Sequence, residues 1–149
     1  MSTTESRTRN PEADKAEWLN RLSALVSLVK GWAEESGWRT RRAVKPVVEE
    51  VLGRYEVPLL LMERDGVEIV LSPLARITPG ADDVVDLYLM PAYDDVASLF
   101  FENGRWRVHS AFPVDPAISH SAREAERLPL GEATINRILD AAAAHAQPL

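Results

Sequence analysis

The chain contains no cysteine in its 149 residues. Disulfides, thiolate nucleophiles and Cys-ligated zinc are therefore excluded together, and the composition suits a reducing, cytoplasmic setting. Long apolar runs are missing too. Val57–Met62 is the longest, far short of the roughly 18 residues that a membrane span requires. The polar stretch Met1–Asn10 lacks the apolar segment of a secretory signal. There are only three histidines, His109, His120 and His145, and none stands at metal-binding spacing from another. Lysine occurs only at positions 15, 30 and 45, and no Gly-x-Ser-x-Gly elbow is present. No motif calls for a cofactor, and no residue is assigned a catalytic role.

The net charge of −6 is unevenly distributed. Residues 1–57 carry ten basic and nine acidic side chains, whereas residues 58–112 carry four and nine. An acidic central region repels phosphate backbones, which argues against nucleic acid as a partner. The one local exception is Arg39, Arg41, Arg42 and Lys45 beside Trp38. A cluster this short is more simply a solvated face.

The strongest local signal lies at Asn103-Gly104, with β-rich segments on both sides. Both residues tolerate positive φ, so a two-residue turn fits. Glu102 then faces Arg105, and Phe101 faces Trp106. Each such cross-strand pair favours this register by roughly 0.2–1 kcal/mol. Leu99, Phe101, Trp106 and Val108 share one face, which suits the core, so full burial is expected for Phe101 and Trp106. Ser98, Phe100, Arg107 and His109 share the other, half-polar face.

Pro11 suits the first position of a helix capped by Asn10, with Trp18, Leu22, Leu25, Val29 and Trp32 as its apolar stripe. Gly37 suits the left-handed position that ends it, and Gly31 inside it suggests close packing. A final helix from about Glu132 would bury Ile135, Ile138, Leu139 and Ala142. Residues 38–57 admit two readings: a helix opened by Pro46 and closed by Gly53, or a strand over Trp38–Ala43. At Asp65-Gly66 a two-residue turn would oppose Glu63 and Glu68, so a three-residue loop is expected. The remaining patterns give strands from Pro58, Val67 and Val84, and Ser121–Glu124 has the form of a capping box.

These elements predict an α+β fold: a five-stranded antiparallel meander over about residues 58–110, covered on one face by an N-terminal and a C-terminal helix. Residues 1–9 read as a disordered tail and residues 10–149 as one domain.

Three constellations bear on function. Asp86 sits between apolar neighbours in a strand, and with Asp83, Asp94 or Glu68 it would suit a divalent-metal hydrolase or nuclease. Such nuclease sites often carry Glu-x-Lys on the next strand, and Val96–Glu102 has no Lys. Ser98 and His109 fall opposite each other, with Asp86 a strand away. That allows a nucleophile–base pair, but an ordinary polar cross-strand pair accounts for it equally. The third feature is aromatic and basic: Tyr88, Phe100, Arg105, Arg107, His109 and Trp38 are residue types that anchor protein interfaces. The reading that needs least special spacing is a non-catalytic intracellular domain that binds a protein partner through a half-polar sheet face or edge. It involves no membrane and is compatible with homo-oligomers. Metal-dependent hydrolysis is the alternative. A small-ligand cup between sheet and helices, lined by Trp32, Trp38, Tyr88 and Phe100, is a third.

Overall fold

The computed structural model describes residues 11–50, 52–73, 83–110 and 128–146. Helix α1 (Pro11–Glu35) is followed by strands β1 (Arg39–Glu49), β2 (Gly53–Arg64), β3 (Val67–Pro73), β4 (Asp83–Leu89), β5 (Asp94–Glu102), β6 (Arg105–Ser110) and β7 (Leu128–Pro129). Helix α2 (Glu132–Ala146) follows the last strand. The seven strands form one antiparallel sheet in sequence order. The α+β class, the two helices and the meander agree with the sequence. The strand count does not: seven strands among the described residues replace five. The tail, the capping box and the loop before Asp83 lie outside the described residues.

Helix α1 ends as its sequence dictates. Gly37 has φ of +89°, and its N–H donates to the Glu34 carbonyl while the Trp38 N–H donates to that of Ala33. This is a Schellman closure, and it places Trp38 against Ala33, both buried. Gly31 is exposed, and a Cβ there would meet nothing within 4 Å, so close packing is not its role.

One of the two added strands is β1, so the helix reading of residues 46–53 is corrected to a strand. The edge position explains how this strand tolerates Pro46, whose missing N–H breaks no ladder on the open side. Val48, one of the apolar positions of that helix reading, is 71% exposed, and Val44 on the same strand is 59% exposed. The other addition, β7, is only two residues long and pairs Leu128 with Val108. The Asp65-Gly66 turn is also corrected. It holds two residues, and Glu63 does face Glu68. The rows Met62–Ile69 and Leu60–Leu71 set this register, and the Arg39 guanidinium pairs with Glu63 to offset the repulsion.

The Asn103-Gly104 hairpin forms as read, with φ of +54° and +77° and with Phe101 opposite Trp106. These two rings pack edge-to-face at 5.2 Å, but both are only half-buried, with the Arg21 guanidinium 4.1 Å over Phe101. The expected full burial is corrected accordingly.

The core is one cluster. Trp18, Leu22, Leu25 and Val29 of α1 and Ile135, Ile138 and Leu139 of α2 pack with Leu60, Ile69, Leu71, Leu87 and Leu99 of the sheet. Arg64 of β2 links the sheet to both helices: it donates to the Ser36 carbonyl at 3.0 Å and to Asp140 at 2.9 Å, and lies 4.5 Å over the Trp38 ring. No helix among the described residues is long and apolar enough to cross a membrane.

Candidate functional site

Side chains alternate across a strand, so the neighbours of the core row point to the opposite face of the sheet. There the register aligns Ser72 with Asp86, Asp86 with Ser98, and Ser98 with His109. A polar row thus crosses four strands. Asp86 is its hub. Its Oδ1 accepts the Ser98 hydroxyl at 2.7 Å, and its Oδ2 accepts the Tyr88 hydroxyl at 3.0 Å. The row continues from Ser72 to β1, where the Lys45 ammonium donates to the Ser72 hydroxyl at 2.7 Å. Ser72 is 6% exposed, so this contact supplies a partner to a hydroxyl that water barely reaches.

The electrostatics follow from this placement. Burial pushes the Tyr88 phenol up to about 12; its hydrogen bond to Asp86 and the charges of Asp86 and Asp95 act in the same sense. Burial lowers the Lys45 ammonium from its ordinary value, and the Asp86 charge opposes that shift.

A break in the ladder adds one more acid. Leu87 pairs with Ala97, but Tyr88 pairs with Asp95, so Val96 is an extra residue in β5. Strict alternation would put Asp95 on the face of Leu99 and Phe101. The bulge turns it instead onto the face of Asp86, the re-aiming that bulges produce. Asp86, Asp95, Ala97, Ser98 and His109 line a depression of about 210 Å³. Tyr93 lies alongside, its ring 5.7 Å from that of Tyr88 and edge-on to it. It is 62% exposed and has φ of +61°, a conformation uncommon for a bulky side chain.

The residues singled out from sequence fall into two groups. His109 lines the depression, Tyr88 joins it only through its hydrogen bond to Asp86, and Phe100 opposite Arg107 forms the next row on the same face. Arg105 is exposed two residues further along β6. Trp38 does not belong with them: it is 2% exposed, in the core beneath Arg64. The cup of Trp32, Trp38, Tyr88 and Phe100 is not assembled either, because Trp32 and Trp38 pack with the core while Tyr88 and Phe100 lie across the sheet. Asp83 and Asp94 sit at opposite ends of β4, opposite Phe101 and next to Leu89 respectively, about 20 Å apart by strand rise. Asp94 is not brought to Asp86, and among the described residues no three His, Asp or Glu side chains gather to hold a metal ion.

The basic cluster disperses as well. Arg42 turns to Ser27 and the Ser23 carbonyl of α1, Arg39 to Glu63, and Lys45 to Ser72. Sequence reasoning did not place Lys45, Ser72 or Asp95 at this site. Ser72 did carry a signal, as the one hydroxyl closing the apolar run Ile69-Val70-Leu71. Asp95 carried none, because a bulge leaves no mark in an alternation pattern.

Comparison with known proteins finds no matching family model, no matching curated protein and no matching solved structure.

Proposed function

We propose that this chain is a protein-binding domain whose half-polar sheet face, bearing Phe100, Arg105, Arg107, His109 and Tyr93, receives a partner. The helices pack on the core side, and this reading assigns the opposite side to the partner. The observation that carries it is the shallow polar depression beside an exposed aromatic ring. At about 210 Å³ it is smaller than the roughly 300–1,000 Å³ typical of metabolite and cofactor sites. It suits one anchoring side chain of a larger partner surface. Tyr and Arg around a small pocket are the residue types that dominate interface energetics.

The Ser98–Asp86 contact also fits the reading of Ser98 and His109 as a nucleophile–base pair with Asp86 beside them. The partner reading is favoured because Asp86 is divided between two hydroxyl donors and His109 makes no hydrogen bond to Ser98 among the described contacts.

Site-specific photo-cross-linking in the native host tests the proposal. A photoreactive side chain at Arg105 or Tyr93 should yield one discrete higher-mass adduct, whereas one at Ala24, exposed on α1, should not. Equal labelling from all three positions, or from none, would count against it.

A further inference from the structure

The sheet has one long open edge. Among the described residues β1 bonds to β2 alone, along all eleven of its residues, and no strand lies on its other side. Parity shows what that side presents. The two-residue turn at Asp65-Gly66 makes Arg64 and Val67 a hydrogen-bonded pair. Leu60, Met62 and Arg64 therefore bond to β3, and the residues between them bond to β1. The β1–β2 register is unbroken, so Thr40, Arg42, Val44, Pro46 and Val48 turn their backbone groups outward. Of these only Pro46 lacks an N–H. The side chains of Val44, Pro46 and Val48 share one face, and all three are exposed. A long unpaired edge with apolar side chains is a template for another strand.

The charges of β1 select its mate. Arg39, Arg41, Arg42 and Lys45 precede Glu49 along the strand, so an antiparallel copy sets its acidic end against a basic one. A two-fold antiparallel pair places one residue opposite its own copy. Val44 suits that place and its neighbours do not. An axis at Ala43 opposes Arg41 and Lys45, one at Arg42 opposes two arginines, and one at Lys45 opposes two lysines. An axis at Pro46 loses both central hydrogen bonds. With the axis at Val44, the two valines meet, Thr40 faces Val48 of the other copy, and Arg39 faces its Glu49. No like charges are opposed. Pro46 falls opposite Arg42 and accepts its N–H, which leaves only the Arg42 carbonyl to water. The Arg42 guanidinium is already turned to Ser27 of α1. Proline and cations usually blunt an edge; here they exclude the other registers and leave this one.

We propose that a second copy of this chain adds to the β1 edge, antiparallel and with Val44 on the two-fold axis, joining two seven-stranded sheets into one. The face assigned to a partner above belongs to β5 and β6, so either reading can fail without the other.

Sedimentation equilibrium of the full chain should give a dimer mass that falls towards the monomer on dilution. Val44→Lys, which opposes two ammonium groups on the axis, should give the monomer mass while keeping the circular dichroism of the parent. Leu28→Lys, at an exposed site on α1, should leave the dimer intact. The chain has no cysteine, so single cysteines report the register. Val44→Cys should form a disulfide dimer under mild oxidation, because paired Cα atoms about 5.5 Å apart lie within disulfide reach. Val48→Cys is more exposed, but it stands about 26 Å from its twin by strand rise and should cross-link at least tenfold more slowly. A monomer mass at every concentration, as would follow if the edge took a strand of some other protein, overturns the proposal. So does a dimer that survives Val44→Lys, or cross-linking of Val48→Cys as fast as that of Val44→Cys.

Discussion

Asp86→Ala removes the hub of the polar row, and its cost can be worked from the contacts. Asp86 accepts two hydroxyl hydrogen bonds, at 2.7 and 3.0 Å. Hydrogen bonds to a charged group contribute roughly 1.5–3 kcal/mol each, which sets a ceiling of about 3–6 kcal/mol for the pair. Asp86, Ser98 and Tyr88 are all half-buried, so water replaces part of what is lost. The expected destabilisation is about 2 kcal/mol. Asp86→Asn keeps one carbonyl acceptor and should lose about half as much. Urea unfolding reads this as a lower midpoint at unchanged slope. A double-mutant cycle sharpens the test: Ser98→Ala should cost about 1 kcal/mol in the parent and close to nothing in the Asp86→Ala background. A loss below about 0.5 kcal/mol for Asp86→Ala, or an equal cost of Ser98→Ala in both backgrounds, would refute the hub assignment.

Two further outcomes follow from single residues. Tyr88 should form tyrosinate near pH 12, where a free phenol does so near 10. Because the folded state holds this proton longer, the stabilisation is complete below about pH 10 and is lost as pH rises towards 12. Ultraviolet titration of the parent against Tyr88→Phe checks the value. Asp86→Asn should move the midpoint back towards 10, and an ordinary midpoint in the parent would refute the environment described. Gly31→Ala should stabilise α1 by about 0.5–1 kcal/mol, since the site is helical, exposed and open. Thermal unfolding should show a rise of a few degrees, about 2–4 °C per kcal/mol at this size, and a fall would reveal a contact at that position.

The elements legible in the sequence are those whose signal is local. Asn103-Gly104 forces a two-residue turn whatever lies around it, and the stripes of α1 and α2 repeat one contact over several turns. Where tertiary context decides, the pattern misleads. The second half of β1 reads as a helix because Val47, Val48, Val51 and Leu52 fall at helical spacing, although Val48 is 71% exposed on an edge strand. The Glu63–Glu68 clash looks prohibitive until Arg39 is brought beside it from a strand more than twenty residues away. For the site, the opposition of Ser98 and His109 and the nearness of Asp86 follow from register counting alone. Lys45 and Asp95 do not, since one arrives from β1 on a long side chain and the other depends on a bulge at Val96.

The ladder of hairpins has a consequence for how the chain is made. Every described strand bonds only to its immediate predecessor and successor, so pairing can proceed stepwise as residues leave the ribosome. The oily side of the growing sheet is different: Ile135, Ile138 and Leu139 reach it only after strand seven has been synthesised. Until then the nascent sheet is sheltered by the first helix alone, and that interval is when it is most exposed to wrong contacts. Once the last helix docks, Arg64 and Asp140 meet at its edge, 2.9 Å apart.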